Sequence, residues 1–100
     1  MADILGDVKA IVERTWNDLI SKEGRQHHAI YTLITEAAEV ADVIKKGKYS
    51  PRHNYALDRS HLTEEIGDVL YGIVAVCIEF DIDPEDAVTM LHEKLTRRYG

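Results

Sequence analysis

Leu33-Ile34-Thr35-Glu36-Ala37-Ala38-Glu39-Val40-Ala41-Asp42-Val43-Ile44-Lys45-Lys46-Gly47 combines apolar residues and acids at one helical spacing. Ile30, Leu33, Ile34, Ala37, Ala38, Ala41 and Ile44 recur at three or four residues, which predicts an amphipathic helix from about Gln26 to Lys46. Two lysines and Gly47 suit its C-terminal end. Glu36 and Glu39 stand at i,i+3, so both carboxylates fall on one face, about one turn apart.

Glu64-Glu65-Ile66-Gly67-Asp68-Val69-Leu70 repeats this device. Glu65 and Asp68 are again at i,i+3, in a helix expected from about His61 to Phe80 along Leu62, Ile66, Val69, Leu70, Ile73, Val74 and Cys77. Ser60 is the expected N-cap, with Asp58 as the alternative. The half from Val69 to Ile78 is apolar enough to be central or covered by another subunit. Upstream, Ile4, Leu5, Val8, Ile11, Val12, Trp16, Leu19 and Ile20 predict a helix from about Asp3 to Ser21, broken by Lys22-Glu23-Gly24. Downstream, Asp83-Pro84-Glu85-Asp86 opens a helix expected to reach Arg98: an Asp cap, Pro at the first position, then acids at the positive dipole end. Residues 47–59 show no period and predict a loop between the two acidic helices. The pattern is all-α, a four-to-five-helix bundle in a single domain over residues 1–100.

The 100 residues are 45% hydrophobic, enough for a packed core. A helical domain of this size buries only about two-thirds of its unfolded surface, which favours a homo-oligomer. Eighteen acids against 12 bases give a net charge of −6, which argues against a nucleic acid polymer as partner. Cys77, a single cysteine in an apolar run, predicts a buried thiol. No apolar run nears the about 18 residues of a membrane span. Met1-Ala2-Asp3-Ile4-Leu5-Gly6-Asp7 lacks the basic-then-apolar order of a signal peptide, so a cytoplasmic protein is expected.

One Glu-x-x-Glu pair is ordinary on a solvated helix face. Two acidic pairs on successive helices, each beside apolar residues, pose an electrostatic problem. If the helices pack antiparallel, Glu36, Glu39, Glu65 and Asp68 share one cleft, and four carboxylates do not stay ionised together without a counter-ion. Mg²⁺, with Mn²⁺ as substitute, suits an all-oxygen set that leaves positions for phosphate oxygens. Di-iron bundle sites use Glu-x-x-His, and no glutamate here has a histidine three residues on. One cysteine and scattered histidines do not make a zinc site.

Glu36-Ala-Ala-Glu39, Glu64-Glu65-Ile-Gly-Asp68-Val-Leu and Lys94-Leu-Thr-Arg97-Arg98-Tyr99 together resemble the MazG-like nucleotide pyrophosphohydrolases of the all-α NTP pyrophosphatase superfamily, over about Ala29 to Tyr99. The resemblance implies Mg²⁺-dependent hydrolysis of a nucleoside triphosphate to a monophosphate and pyrophosphate, by homodimers or homotetramers whose sites draw on neighbouring subunits. It also implies that Glu36, Glu39, Glu65 and Asp68 hold the metal and that Lys94 and Arg98 contact phosphates. Many members have two adjacent acids opening the first block; here the pair is Thr35-Glu36, and Thr35 cannot act as a carboxylate base. Glu36, Glu39 and Glu64 are the candidates for handling the attacking water. Phosphoribosyl-ATP pyrophosphohydrolase is the runner-up enzyme, and a non-catalytic helical interaction module is the competitor from another class.

The other polar and aromatic residues have plainer readings beside functional ones. Trp16 lies on the apolar stripe and is expected in the core. His27 and His28 open the acidic helix; His28 is the candidate nucleotide contact, with a solvent-facing histidine as the plain alternative. Tyr31, Tyr49 and Tyr55 could stack on a base, and Lys48, Arg52 and Arg59 could reach phosphates from the loop, though a solvated loop is the default.

Overall fold

The computed structural model describes residues 3–16, 21–49 and 56–100. Four helices follow in order: α1 (Ile4–Thr15), α2 (Lys22–Tyr49), α3 (Arg59–Glu79) and α4 (Pro84–Tyr99). The described residues contain no strand, as the periodicity requires of an all-α chain.

Local chemistry sets most helix ends. The Asp3 carboxylate accepts from Gly6 N–H at 2.9 Å and starts α1, which ends where Trp16 turns extended. The expected continuation of this helix through Leu19 and Ile20 lies outside the described residues, as do Arg52, His53 and Tyr55 of the expected loop. Lys22-Glu23-Gly24 does not break the chain; it forms the first turn of α2. The Ser21 hydroxyl accepts from Gly24 N–H at 3.1 Å, so the glycine supplies a capped amide rather than a turn. Asp58, not Ser60, caps α3, accepting from His61 N–H at 3.0 Å. At the far end of α3, Asp81 takes a left-handed φ of 57°, a conformation aspartate tolerates better than most residues. Ile82 N–H can then donate to Cys77 C=O at 2.8 Å. Asp83 caps α4, with Pro84 in its first turn.

α2 and α3 form the principal packing unit, an antiparallel hairpin. Near its open end, Arg25 Nε donates to both carboxylate oxygens of the buried Glu79, at 3.2 and 3.3 Å. Gln26 Nε2 donates to the Glu79 carbonyl at 3.3 Å. Midway, a Cβ on Gly72 would lie 2.9 Å from Leu33 Cα. At the connecting end, a Cβ on Gly47 would lie 2.9 Å from Leu57 Cα. The sequence predicts a stop for α2 at Gly47, yet the helix runs on to Tyr49 and Gly47 is buried. Its missing side chain serves a close crossing of the chain, not a turn.

α1 lies across this hairpin. Val12, Ala29, Val74 and Ala75 form the core, with Leu5, Val8, Trp16, Val76 and Ile78 packed on it. Trp16 is half-buried, as its place on the apolar stripe predicts, and Cys77 is buried, which pushes its thiol pKa up. α4 packs on α1 and α3 but not on α2, and Pro84 is its one buried residue. Leu70 and Ile73 of the apolar half of α3 face a groove of about 430 Å³ that Ile4, Leu5, Val88 and Leu91 also line. No helix among the described residues is long and apolar enough to cross a membrane.

Two glycines of α3 test the packing in opposite directions. Gly72→Ala drives a methyl into the α2 backbone and should lower stability by about 1–3 kcal/mol. A Cβ on Gly67 meets nothing within 4 Å, so Gly67→Ala should raise it, by about 0.5–1 kcal/mol. Thermal unfolding in metal-free buffer reads both; a Gly72→Ala protein as stable as the wild type would contradict the close approach.

Candidate metal centre

The hairpin register sets the two acidic motifs opposite each other. Residues later in α2 meet residues earlier in α3: Arg25 meets Glu79 and Leu33 meets Gly72. Continued for one and then two more turns, the same register brings Glu36 level with Asp68 and Glu39 level with Glu65. One carboxylate oxygen from each of Glu36, Glu65 and Asp68 lies within 4.8 Å of the others. Glu36 and Glu65 are half-buried and Asp68 is exposed. Glu39 stands outside this triad but beside Glu65. Its pKa is raised, first by a hydrogen bond with Glu65 and then by the charges of Glu36, Glu65 and Asp68.

Two ionised carboxylates cannot hydrogen-bond to each other, so that contact needs a proton. With both ionised, Glu65 Oε2 is buried without a donor among the described residues. Its other oxygen, Oε1, accepts from His61 Nε2 at 3.1 Å. His61 is a site neighbour that attention to acidic pairs alone overlooks. The signal was available, because His61 precedes Glu65 by one helical turn and so shares its face.

His61 also lines a neighbouring cavity of about 240 Å³ with Asp42, Lys46 and Asp58. There Lys46 Nζ pairs with the Asp42 carboxylate at 2.8 Å. That contact lowers the Asp42 pKa and raises that of Lys46.

The remaining candidates lie elsewhere. Glu64 is exposed and outside the triad, as is Thr35. Lys94 and Arg98 are exposed on α4, and among the described residues no ion pair joins either to the acids. The His28 ring stacks on Trp16, with centroids 4.9 Å apart and planes at 18°. Tyr71 closes on the same indole at 6.0 Å, and Trp16 Nε1 is buried without an acceptor among the described residues.

An all-helical hairpin thus converges carboxylates from two helices. Residues 25–100 match the family model of the MazG nucleotide pyrophosphohydrolase domain, and the chain belongs to that family. The match takes in nearly all of α2 and the whole of α3 and α4, and leaves α1 outside it. No curated protein and no solved structure matches the chain.

The crowding of carboxylates has a pH signature. The folded protein holds a proton on Glu39 above its ordinary value of 4.5, so the native state binds that proton more tightly than the unfolded chain does. Its contribution to stability is therefore full below pH 4.5 and is lost as pH rises through the raised value. Glu39→Gln removes one charge from the cluster. Without divalent cations it should melt above the wild type at pH 7, with the gap closing towards pH 4. Melting curves at the two pH values check this, and equal gaps would contradict the repulsion.

Proposed function

We propose that this protein is a Mg²⁺-dependent nucleoside triphosphate pyrophosphohydrolase, forming a nucleoside monophosphate and pyrophosphate from the cytoplasmic nucleotide pool. The observation that carries this reading is the convergence of carboxylate oxygens of Glu36, Glu65 and Asp68, beside which one Glu65 oxygen, Oε2, is buried without a donor among the described residues. A hard divalent cation fits such a donor set: all ligands are carboxylate oxygens, and no sulfur or imidazole is among the three. Glu36, Glu65 and Asp68 would hold it, with Glu39 beside them. When bound, the cation would neutralise phosphate charge and polarise the phosphoryl oxygens.

The chain's own groups do the rest. Glu39 stands outside the triad and is the group freest to accept a proton from a water attacking the α-phosphorus in line, with pyrophosphate leaving opposite. Glu36, the other candidate for that proton, lies within the triad and is better used as a ligand. Lys94 and Arg98 would bind the phosphates, their i,i+4 spacing setting both cations on one face of α4.

Self-association fits the same reading. α4 does not touch α2, and Leu70, Val88, Leu91 and Leu95 stay at least 43% exposed. A contiguous apolar surface of this kind suits burial between subunits. A homodimer or homotetramer, each chain one domain, would cover it and could bring α4 of one subunit to the acids of another.

Product analysis tests the activity. With Mg²⁺ and a panel of NTPs, dNTPs and phosphoribosyl-ATP, the expected products are a monophosphate and pyrophosphate; a diphosphate with orthophosphate would overturn the reading. Chelation should abolish turnover and added Mg²⁺ restore it. Glu39→Gln should lower kcat by about 10²–10⁴-fold, with the helical circular dichroism spectrum unchanged. No turnover on any substrate, with no nucleotide bound, would leave the helical interaction module standing.

A further inference from the structure

Glu65 differs from the other two members of the triad. Among the described residues it alone has a hydrogen-bond donor outside the acids, the imidazole of His61. That donor is itself anchored. Asp58, the N-cap of α3, accepts from His61 N–H at 3.0 Å and fixes the backbone from which the ring reaches one turn forward. The ring is half exposed, while the Glu65 side chain is only 13% exposed. A surface i,i+4 pair would have both partners in water; here the acid end is withdrawn among other carboxylates.

Left to itself, Glu65 would rotate away from Glu36 and Asp68, because like charges repel and its buried oxygen has no donor among the described residues. A carboxylate held through one oxygen has its plane fixed, and its second oxygen keeps one direction. The chain Asp58, His61, Glu65 is thus an orienting device built from three residues at the start of one helix. Carboxylates that ligate metals are commonly held by such hydrogen bonds, and removing one typically costs about 10–100-fold in metal affinity.

Resting on the metal-site reading above, we propose that His61 is a positioning residue: its Nε2–H holds the Glu65 carboxylate in the orientation that binds the divalent cation. Its action is on ion binding rather than on bond breaking. Its loss should therefore raise the Mg²⁺ activation constant and leave kcat at saturating Mg²⁺ within a few-fold of the wild type.

Mn²⁺ titration of the full chain, followed by electron paramagnetic resonance without nucleotide, separates this from the parent reading. His61→Ala should weaken Mn²⁺ binding about 10-fold or more, and His61→Gln, which keeps an N–H donor, should recover most of it. Glu65→Gln should bind still more weakly. Wild-type affinity in His61→Ala, or no recovery in His61→Gln, overturns the positioning role. If Glu65→Gln still loses Mn²⁺ in that case, the metal site itself stands. A wild-type protein that binds no Mn²⁺ overturns both.

Discussion

Gly72 lies against the backbone of Leu33, and the approach of α2 to α3 depends on that contact. Any side chain at Gly72 would push the helices apart. Their separation decides whether carboxylates on facing turns share a cation or merely face each other across solvent. Two further features hold the same register. The Arg25–Glu79 pair ties one end of the hairpin, and Gly47 lets the returning chain pass close at Leu57 at the other. The Arg25–Glu79 pair places a carboxylate in the interior, which is tolerable because a guanidinium meets both of its oxygens. Ala29 and Ala75, both fully buried, extend the theme of small residues where the helices meet.

The hairpin works against itself in one place. Packing that brings α2 and α3 together also concentrates negative charge from Glu36, Glu39, Glu65 and Asp68. Without a cation, the relief open to it is a proton on Glu39, whose pKa is raised accordingly. The proposed metal site would relieve this tension, because a divalent cation neutralises facing carboxylates. The rest of the chain offsets it modestly. The fully packed core is a small cluster around Val12 and Val74, and α4 leaves Val88, Met90, Leu91 and Leu95 in contact with solvent.

Two mistaken helix ends share a cause. In the sequence, Gly24 and Gly47 read as breakers because glycine weakens an isolated helix. In the folded chain one lies in a turn capped by Ser21 and the other is buried where the backbone of Leu57 passes. Neither has a positive φ, so conformational freedom is not what either supplies. Ser60 and Asp58 were both legible as caps. The structure uses Asp58, which starts α3 two residues earlier, and the ring of His61 reaches Glu65.

The sequence by itself determined that this chain is helical, where its four amphipathic segments fall, and that each acidic pair lies on one face of its helix. Those properties follow from spacing along a single helix, and local geometry carries them. Tertiary structure alone decided which oxygens meet. The triad comprises Glu36, Glu65 and Asp68, with Glu39 to one side and Glu64, Lys94 and Arg98 apart from it. The reason is that the register between two helices is set by distant close contacts, Gly72 on Leu33 and Arg25 on Glu79. Periodicity within either helix carries no information about how far one slides along the other.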